Sequence, residues 1–343
     1  MIKNDSWKRE QHLAVRNSVG WYDWTHRLLE VTGPDATAFL EGLFPKSIHT
    51  MGMGRAKYTT MLNDDAIIID DVVIFRFEEN KYWVSTLFTA KLVAWFDAHK
   101  AGKDVSYRVI TKEVRMIAVQ GPKAKALVNA IASEPVDELK YFQIKDNHIG
   151  DIPVQIGRSS YTGEYGFEIY FAAEQQSVVE AVLEEKGKAF DAMKITEFEV
   201  IVLSLPTEKG YCLMSDLGWT NPYEVGLANG IDWNKEFVGK EALKEIKAAG
   251  PERILLGFTV ENDNAHIYSK DKGGPGGEIY KEGKLVGRVT KFAYGYYVEK
   301  SIGFALVDAH ACKVGDRVTI NDNEAVLTER CWYDPENKKV LGK

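Results

Sequence analysis

The sequence predicts an α+β protein of two or three domains that ends in a small all-β, barrel-like module. Three observations carry that expectation. At 343 residues the chain is too long for one ordinary core. Up to about Gly250, stretches with helical spacing alternate with β-branched runs. Beyond it, short strands alternate with turns such as Glu282-Gly283 and Asn321-Asp322-Asn323.

Taken in order, residues 34–44 open with Pro34 at the first helical turn and place Phe39, Leu40, Leu43 and Phe44 at helical spacing. Strand-like text runs over 57–77, and 82–85 adds another strand. Residues 90–99 read as a helix. The strand 114–120 is followed by Gly121-Pro122, which opens a helix through Ile131. Residues 174–186 are amphipathic, and 270–277 form a Gly-rich loop.

Composition excludes several classes. No run approaches ~18 apolar residues, so no membrane span is expected. Residues 1–9 lack the apolar segment of a secretory signal. Cys212, Cys312 and Cys331 are widely spaced and fit neither a disulfide framework nor a zinc pattern, so a reducing cytoplasm suits the chain and no metal is expected. The net charge of −7 is dispersed, with no basic nucleic-acid footprint.

Two strings carry chemistry. Ser159-Ser160-Tyr161-Thr162-Gly163-Glu164-Tyr165-Gly166-Phe167-Glu168-Ile169 reads as a glycine-punctuated connection between short strands. Glu168, between Phe167 and Ile169, faces away from those two apolar neighbours. There it can accept paired hydrogen bonds from a flat heterocycle such as a pterin, with Tyr161 nearby; an exposed hairpin with a solvated Glu is the other reading. The second string sets Asp70 and Asp71 inside a β-branched run. Asp71 shares its face with Ile67, Ile69, Val73, Phe75 and Phe77, whereas Asp70 falls with Arg76, expected on the solvent side. An unpaired carboxylate among apolar groups is costly, so Asp71 needs either a partner or a task.

These strings together resemble the glycine-cleavage T-protein family, the folate-dependent aminomethyltransferases and their demethylase relatives. The likeness runs from Gly20-Trp21-Tyr22-Asp23-Trp24-Thr25-His26 through Gly54-Arg55-Ala56-Lys57-Tyr58, the aspartate pair, Val119-Gln120-Gly121-Pro122 and the Y-T-G-E string. It continues to Glu208-Lys209-Gly210, Asn221-Pro222-Tyr223-Glu224 and Phe237-Val238-Gly239-Lys240. The resemblance implies a three-domain cloverleaf around tetrahydrofolate. Its parts would be a discontinuous folate-binding domain (1–48 plus 118–240), an inserted α+β domain carrying the aspartates (49–117), and a C-terminal β domain (241–343). It implies Tyr58, Asp71, Tyr161, Glu168 and Glu208 as cofactor-binding and Asp71 as catalytic. An ether donor would also need its leaving oxygen protonated, for which Tyr22, His26 and Tyr296 are the candidates.

The chain departs from the aminomethyltransferase pattern in three places. One is a Thr-Ser-Gly segment near the end, which here reads Val289-Thr290-Lys291-Phe292-Ala293-Tyr294-Gly295-Tyr296-Tyr297. No Asn follows the strand 82–85, and Pro206 stands at or beside the Arg of an L-R-L-E-A-G segment. The text is closer to the demethylase branch, which implies methyl transfer from a small O-, N- or S-methylated donor, such as a methoxyaromatic, to N5 of tetrahydrofolate. Trp219, Tyr294 and Tyr296 would line the donor pocket, and a lipoylated carrier protein would not be a partner. The alternatives are a glycine-cleavage aminomethyltransferase and a non-enzymatic folate-binding protein of iron–sulfur maturation.

Overall fold

Two antiparallel-rich sheets and a closed barrel surround a shared centre in the computed structural model, which describes residues 5–262, 265–267 and 276–343. The first sheet has six strands in the order Ala192–Lys194, Val19–Asp23, Val114–Gln120, Gly166–Ala172, Ile152–Gly157, Ile144–Ile149. The second has five, ordered Arg55–Leu62, Ile68–Glu78, Lys81–Thr86, Arg27–Thr32, Ser106–Val109. The barrel closes through Arg253–Val260, Lys300–Asp308, Lys284–Gly295, Glu278–Lys281, Arg317–Ile320 and Asn323–Thr328. The expected α+β class and C-terminal barrel stand.

Strand alternation decides what each sheet covers. In the first sheet Val19, Trp21, Val119, Phe167 and Ile169 pack beneath the helices Ala124–Ile131 and Gln176–Gly187. In the second, Val72, Ile74 and Val84 pack beneath Ala36–Leu43 and Thr89–His99. The inner faces meet instead. Tyr22, Met116, Ala118 and Tyr170 of the first sheet share a core with Leu28, Phe75 and Trp83 of the second.

The helices fall where helical spacing placed them, but three expectations need correction. The unbroken strand-like text over 57–77 divides into two strands, joined by a turn in which the Asn63 side chain accepts the Ile67 N–H at 2.8 Å and Ala66 adopts φ 61°. Asn can make such a turn without Gly or Pro by bonding its own backbone. Second, Arg27–Thr32 pairs with both Lys81–Thr86 and Ser106–Val109. The unit bearing the aspartates therefore draws in residues assigned above to 1–48, because hydrogen-bond register defines a sheet and chain order does not. Third, Asp70 is fully buried beside Thr86 on the helix-covered face. Of the Gly-rich loop, residues 270–275 lie outside the described residues. No helix among the described residues is long and apolar enough to cross a membrane.

Candidate active site

The two sheets, the connection around Lys209–Gly230 and the segment that follows the barrel line a cavity of about 1280 Å³. That is more than the roughly 300–1,000 Å³ of most small-molecule sites. Asp71, Tyr58, Tyr161, Glu168 and His26, named from distant parts of the sequence, all line it.

Asp71 reaches the cavity because it sits one residue out of phase with Asp70, Val72 and Ile74, which face the helices. The paired strand brings Tyr58 to the same face, where its hydroxyl donates to Asp71 Oδ2 at 2.9 Å. Burial pushes the Asp71 carboxyl up to about 6; the Tyr58 hydrogen bond opposes this and the neighbouring Asp70 adds to it. Asp70 has a different fate. It accepts the Asp71 N–H at 2.9 Å and the Thr86 hydroxyl, which fixes the strand from behind.

Glu168 is 8% exposed and shares its face with Tyr22 across the strand centred on Ala118. Its Oε2 accepts the Tyr170 hydroxyl at 2.8 Å, and no described residue donates to its Oε1. A buried carboxylate with one open oxygen suits a ligand that presents N–H donors. Tyr161 turns its hydroxyl away, donating to the Cys212 carbonyl at 2.7 Å, and offers its ring instead. Trp24 lies nearly parallel to that ring (13°, centroids 6.1 Å apart), and Tyr211 does so on the other side (19°, 5.9 Å). Flat walls and an open carboxylate suit a planar heterocycle. His26 hydrogen-bonds Ser85 at 2.7 Å, and burial holds its imidazole below the usual range, hence neutral near pH 7.

Five expected residues lie elsewhere. Tyr22 is buried in the core under Glu168, where burial and that carboxylate drive its hydroxyl far above the ordinary range, so it is no ready acid. Glu208 is locked in a dry ion cluster, accepting from His12 at 3.1 Å, from Arg16 at 3.0 Å and from the Tyr297 N–H at 2.9 Å. Burial alone would raise its carboxyl, but His12, Arg16 and the Tyr297 amide hold it down at about 2. No acceptor site remains for a cofactor. Trp219 is 80% exposed on a left-handed turn. Tyr294 and Tyr296 pack edge-to-face at the end of the barrel strand Lys284–Gly295, with Tyr296 against His12 of the helix Ser6–Asn17. None of the five lines the cavity. An aromatic in a strand reveals a buried face but not which void that face meets.

Sequence reasoning missed Trp24, Tyr211, Lys46, Lys57 and Arg158 in the wall. Trp24 and Tyr211 adjoin strings singled out above, which was the available signal. Cys212 also lines the cavity, but burial pushes its thiol up to about 11, which keeps it protonated and inert.

Residues 3–235 match the GCVT N-terminal domain family, and residues 253–334 the Glycine cleavage T-protein C-terminal barrel domain. An aminomethyltransferase of Bacillus licheniformis is 32% identical, covering 96% of this chain and 90% of the relative. One of Halalkalibacterium halodurans is 30% identical over the same shares, 96% and 90%. The glycine cleavage system aminomethyltransferase T of Bartonella henselae has the same fold, with a TM-score of 0.83 at 23% identity, covering 96% of this chain and 90% of that one. The chain belongs to the glycine cleavage T-protein family and is a one-carbon transferase that uses tetrahydrofolate. The expectation that excluded a lipoylated carrier is thereby overturned, since relatives along nearly the whole chain are aminomethyltransferases rather than demethylases.

Proposed function

We propose that this family member is an aminomethyltransferase, passing a one-carbon unit from an aminomethyl group on a carrier to tetrahydrofolate in the central cavity. One observation carries the placement: Asp71 and the Tyr161/Glu168 pair, 90 or more residues apart in the chain, open into one cavity. The residues fit the group. Glu168 keeps an oxygen open for pterin N–H donors, Tyr161 and Trp24 provide flat walls, and Tyr58 and Asp71 form a polar pair beside them.

When bound, tetrahydrofolate supplies the nucleophilic nitrogens that accept the one-carbon unit. Glu168 and the aromatic walls fix the plane in which those nitrogens lie. Holding acceptor and donor in line contributes on the order of 7–11 kcal/mol to lowering the barrier. The Asp71 carboxylate, oriented by the Tyr58 hydroxyl, stabilises positive charge that develops on a nitrogen beside it; in a water-poor cavity that interaction is far stronger than in bulk. His26, neutral and hydrogen-bonded to Ser85, holds one unprotonated ring nitrogen for a proton released at the cavity wall.

A second reading, methyl transfer from a small methylated donor, is favoured by Pro206. It is buried in the short helix Leu205–Lys209, at or beside the position where the family pattern carries an Arg. One assay separates the two. An aminomethyl-loaded lipoylated carrier with tetrahydrofolate yields methylenetetrahydrofolate under the first reading. Production of 5-methyltetrahydrofolate from methoxyaromatics, betaines or sulfonium compounds, and none from the carrier, selects the second.

A further inference from the structure

Five cationic side chains line the cavity, and four of them are engaged. Lys209 pairs with Asp334 at 3.0 Å. Arg158 donates to the Val340 carbonyl at 3.0 Å and lies 4.0 Å over the Tyr165 ring. Arg330 donates to the Val225 carbonyl at 2.8 Å, and Lys57 to the Ser47 carbonyl. Lys46 has no hydrogen bond and no carboxylate partner among the described residues. Its ammonium lies 5.9 Å from the centroid of the Tyr58 ring, and that ring's hydroxyl is the one bonded to Asp71. Lys46 and Lys57 are thus two like charges on one wall, and among the described residues the one hydrogen bond either makes is that of Lys57 to a neutral carbonyl.

Such an arrangement costs free energy in the empty protein. A half-buried ammonium loses hydration, and a second cation adjacent to it adds repulsion. Burial pulls the Lys46 amine below its ordinary range and Lys57 pulls it further; Lys57 is lowered by burial as well, with Glu41 and Asp232 only partly offsetting this from outside the wall. An anion entering between the two would relieve all of these terms. The path to them is set by what lies in order along the cavity wall: Lys46, Tyr58 and Asp71, with Glu168 on the opposing sheet.

We propose that Lys46 and Lys57 form a carboxylate-recognition site, holding the acid end of a ligand whose reacting nitrogen or carbon lies at Asp71. This rests on the folate reading for the direction in which the ligand lies, but not for the existence of the site. Two ligands present the right chemistry. Tetrahydrofolate carries glutamate carboxylates at the end opposite its pterin, so a pterin on Glu168 sends its tail past Asp71 and Tyr58. A small donor carrying its own carboxylate would use the same charges, and so replace the cation that Pro206 omits.

The test compares the full-length protein with its K46M/K57M variant by titration calorimetry. The probes are 5-formyltetrahydrofolate, the same pteridine without glutamate (5-formyltetrahydropteroate), and 4-aminobenzoylglutamate. If the tail is the occupant, the variant binds 5-formyltetrahydrofolate and 4-aminobenzoylglutamate about tenfold more weakly and the pteroate equally well. If a donor is the occupant, all three bind unchanged, while 4-methoxybenzoate binds the folate-loaded wild type better than methoxybenzene does and loses that advantage in the variant. Equal binding of every probe by both proteins overturns the site. A wild type that binds neither pteridine removes the folate reading, and the lysine pair then stands or falls on 4-aminobenzoylglutamate alone. Lys46→Arg, which keeps the charge, should retain binding and separates lost recognition from lost folding.

Discussion

The molecule holds two sets of buried acids, and they are treated in opposite ways. Around Glu208 every charge is answered. His12, Arg16 and two backbone amides surround its carboxylate, while Arg16 also binds Glu164, which the Tyr333 hydroxyl completes. This cluster ties the helix Ser6–Asn17 to the Y-T-G-E loop, the helix Leu205–Lys209 and the C-terminal segment. In the cavity, Asp71 and Glu168 receive one tyrosine hydroxyl each and no cation. The first set is saturated and so structural. The second is left short of partners, which fits a site completed by its ligand. Glu208 stands in a family string as Asp71 does, yet only the surroundings tell the two apart.

Substitutions test that contrast. The largest effect belongs to Asp71→Asn, which should lower kcat by roughly 10²–10³ while leaving folate binding nearly intact; full turnover in that variant removes Asp71 from the mechanism. The same variant should melt no lower than wild type at pH 7.5, since burial disfavours the charged carboxylate it removes. Glu208→Gln should do the reverse, costing about 3–5 kcal/mol of stability by denaturant titration because Arg16 loses its buried counter-charge. Unchanged stability would show the cluster to be dispensable. Glu168→Gln should weaken folate binding by about 1.5–3 kcal/mol with little change in melting temperature.

The pH profile is a smaller, sharper probe. The carboxylate form of Asp71 is the competent one and its carboxyl sits at about 6. The rate should therefore fall about tenfold per pH unit below that value and level off above it. The stability sign is opposite: the fold holds that proton more tightly than the unfolded chain, so this group's contribution to stability declines as pH rises from the ordinary carboxylate range through about 6. A flat rate profile from pH 5 to 8 would place another group at the chemistry. Smallest of all, Trp219→Ala should change neither stability nor rate beyond about 0.5 kcal/mol, because the ring is in solvent.

Much of this was legible in the chain. Period-two text placed Glu168 opposite its apolar neighbours and Asp71 on the face away from Asp70, and the ordered strings gave the family. The sequence reading failed where a residue's value depends on what approaches from elsewhere. Asp70 and Asp71 look alike in a strand, and the helices packed on one side decide which is interred and which faces the void. Tyr294 and Tyr296 are as aromatic as Tyr161 and Tyr211, but their strand turns them into the barrel–helix seam. Lys57 lies inside a family string, yet neither it nor Lys46 reads as a site from the text, since a lysine is ordinarily solvated and only a cavity wall makes its charge conspicuous.

The amino-acid order by itself determined local geometry: which residues form strands and helices, and which face each side chain takes, because these follow from backbone sterics and near-neighbour polarity. The tertiary structure alone decided which of those faces enclose a common space and which buried charges find a counter-charge. Both depend on segments more than a hundred residues apart meeting at a few ångströms, and electrostatic cost is set at that distance.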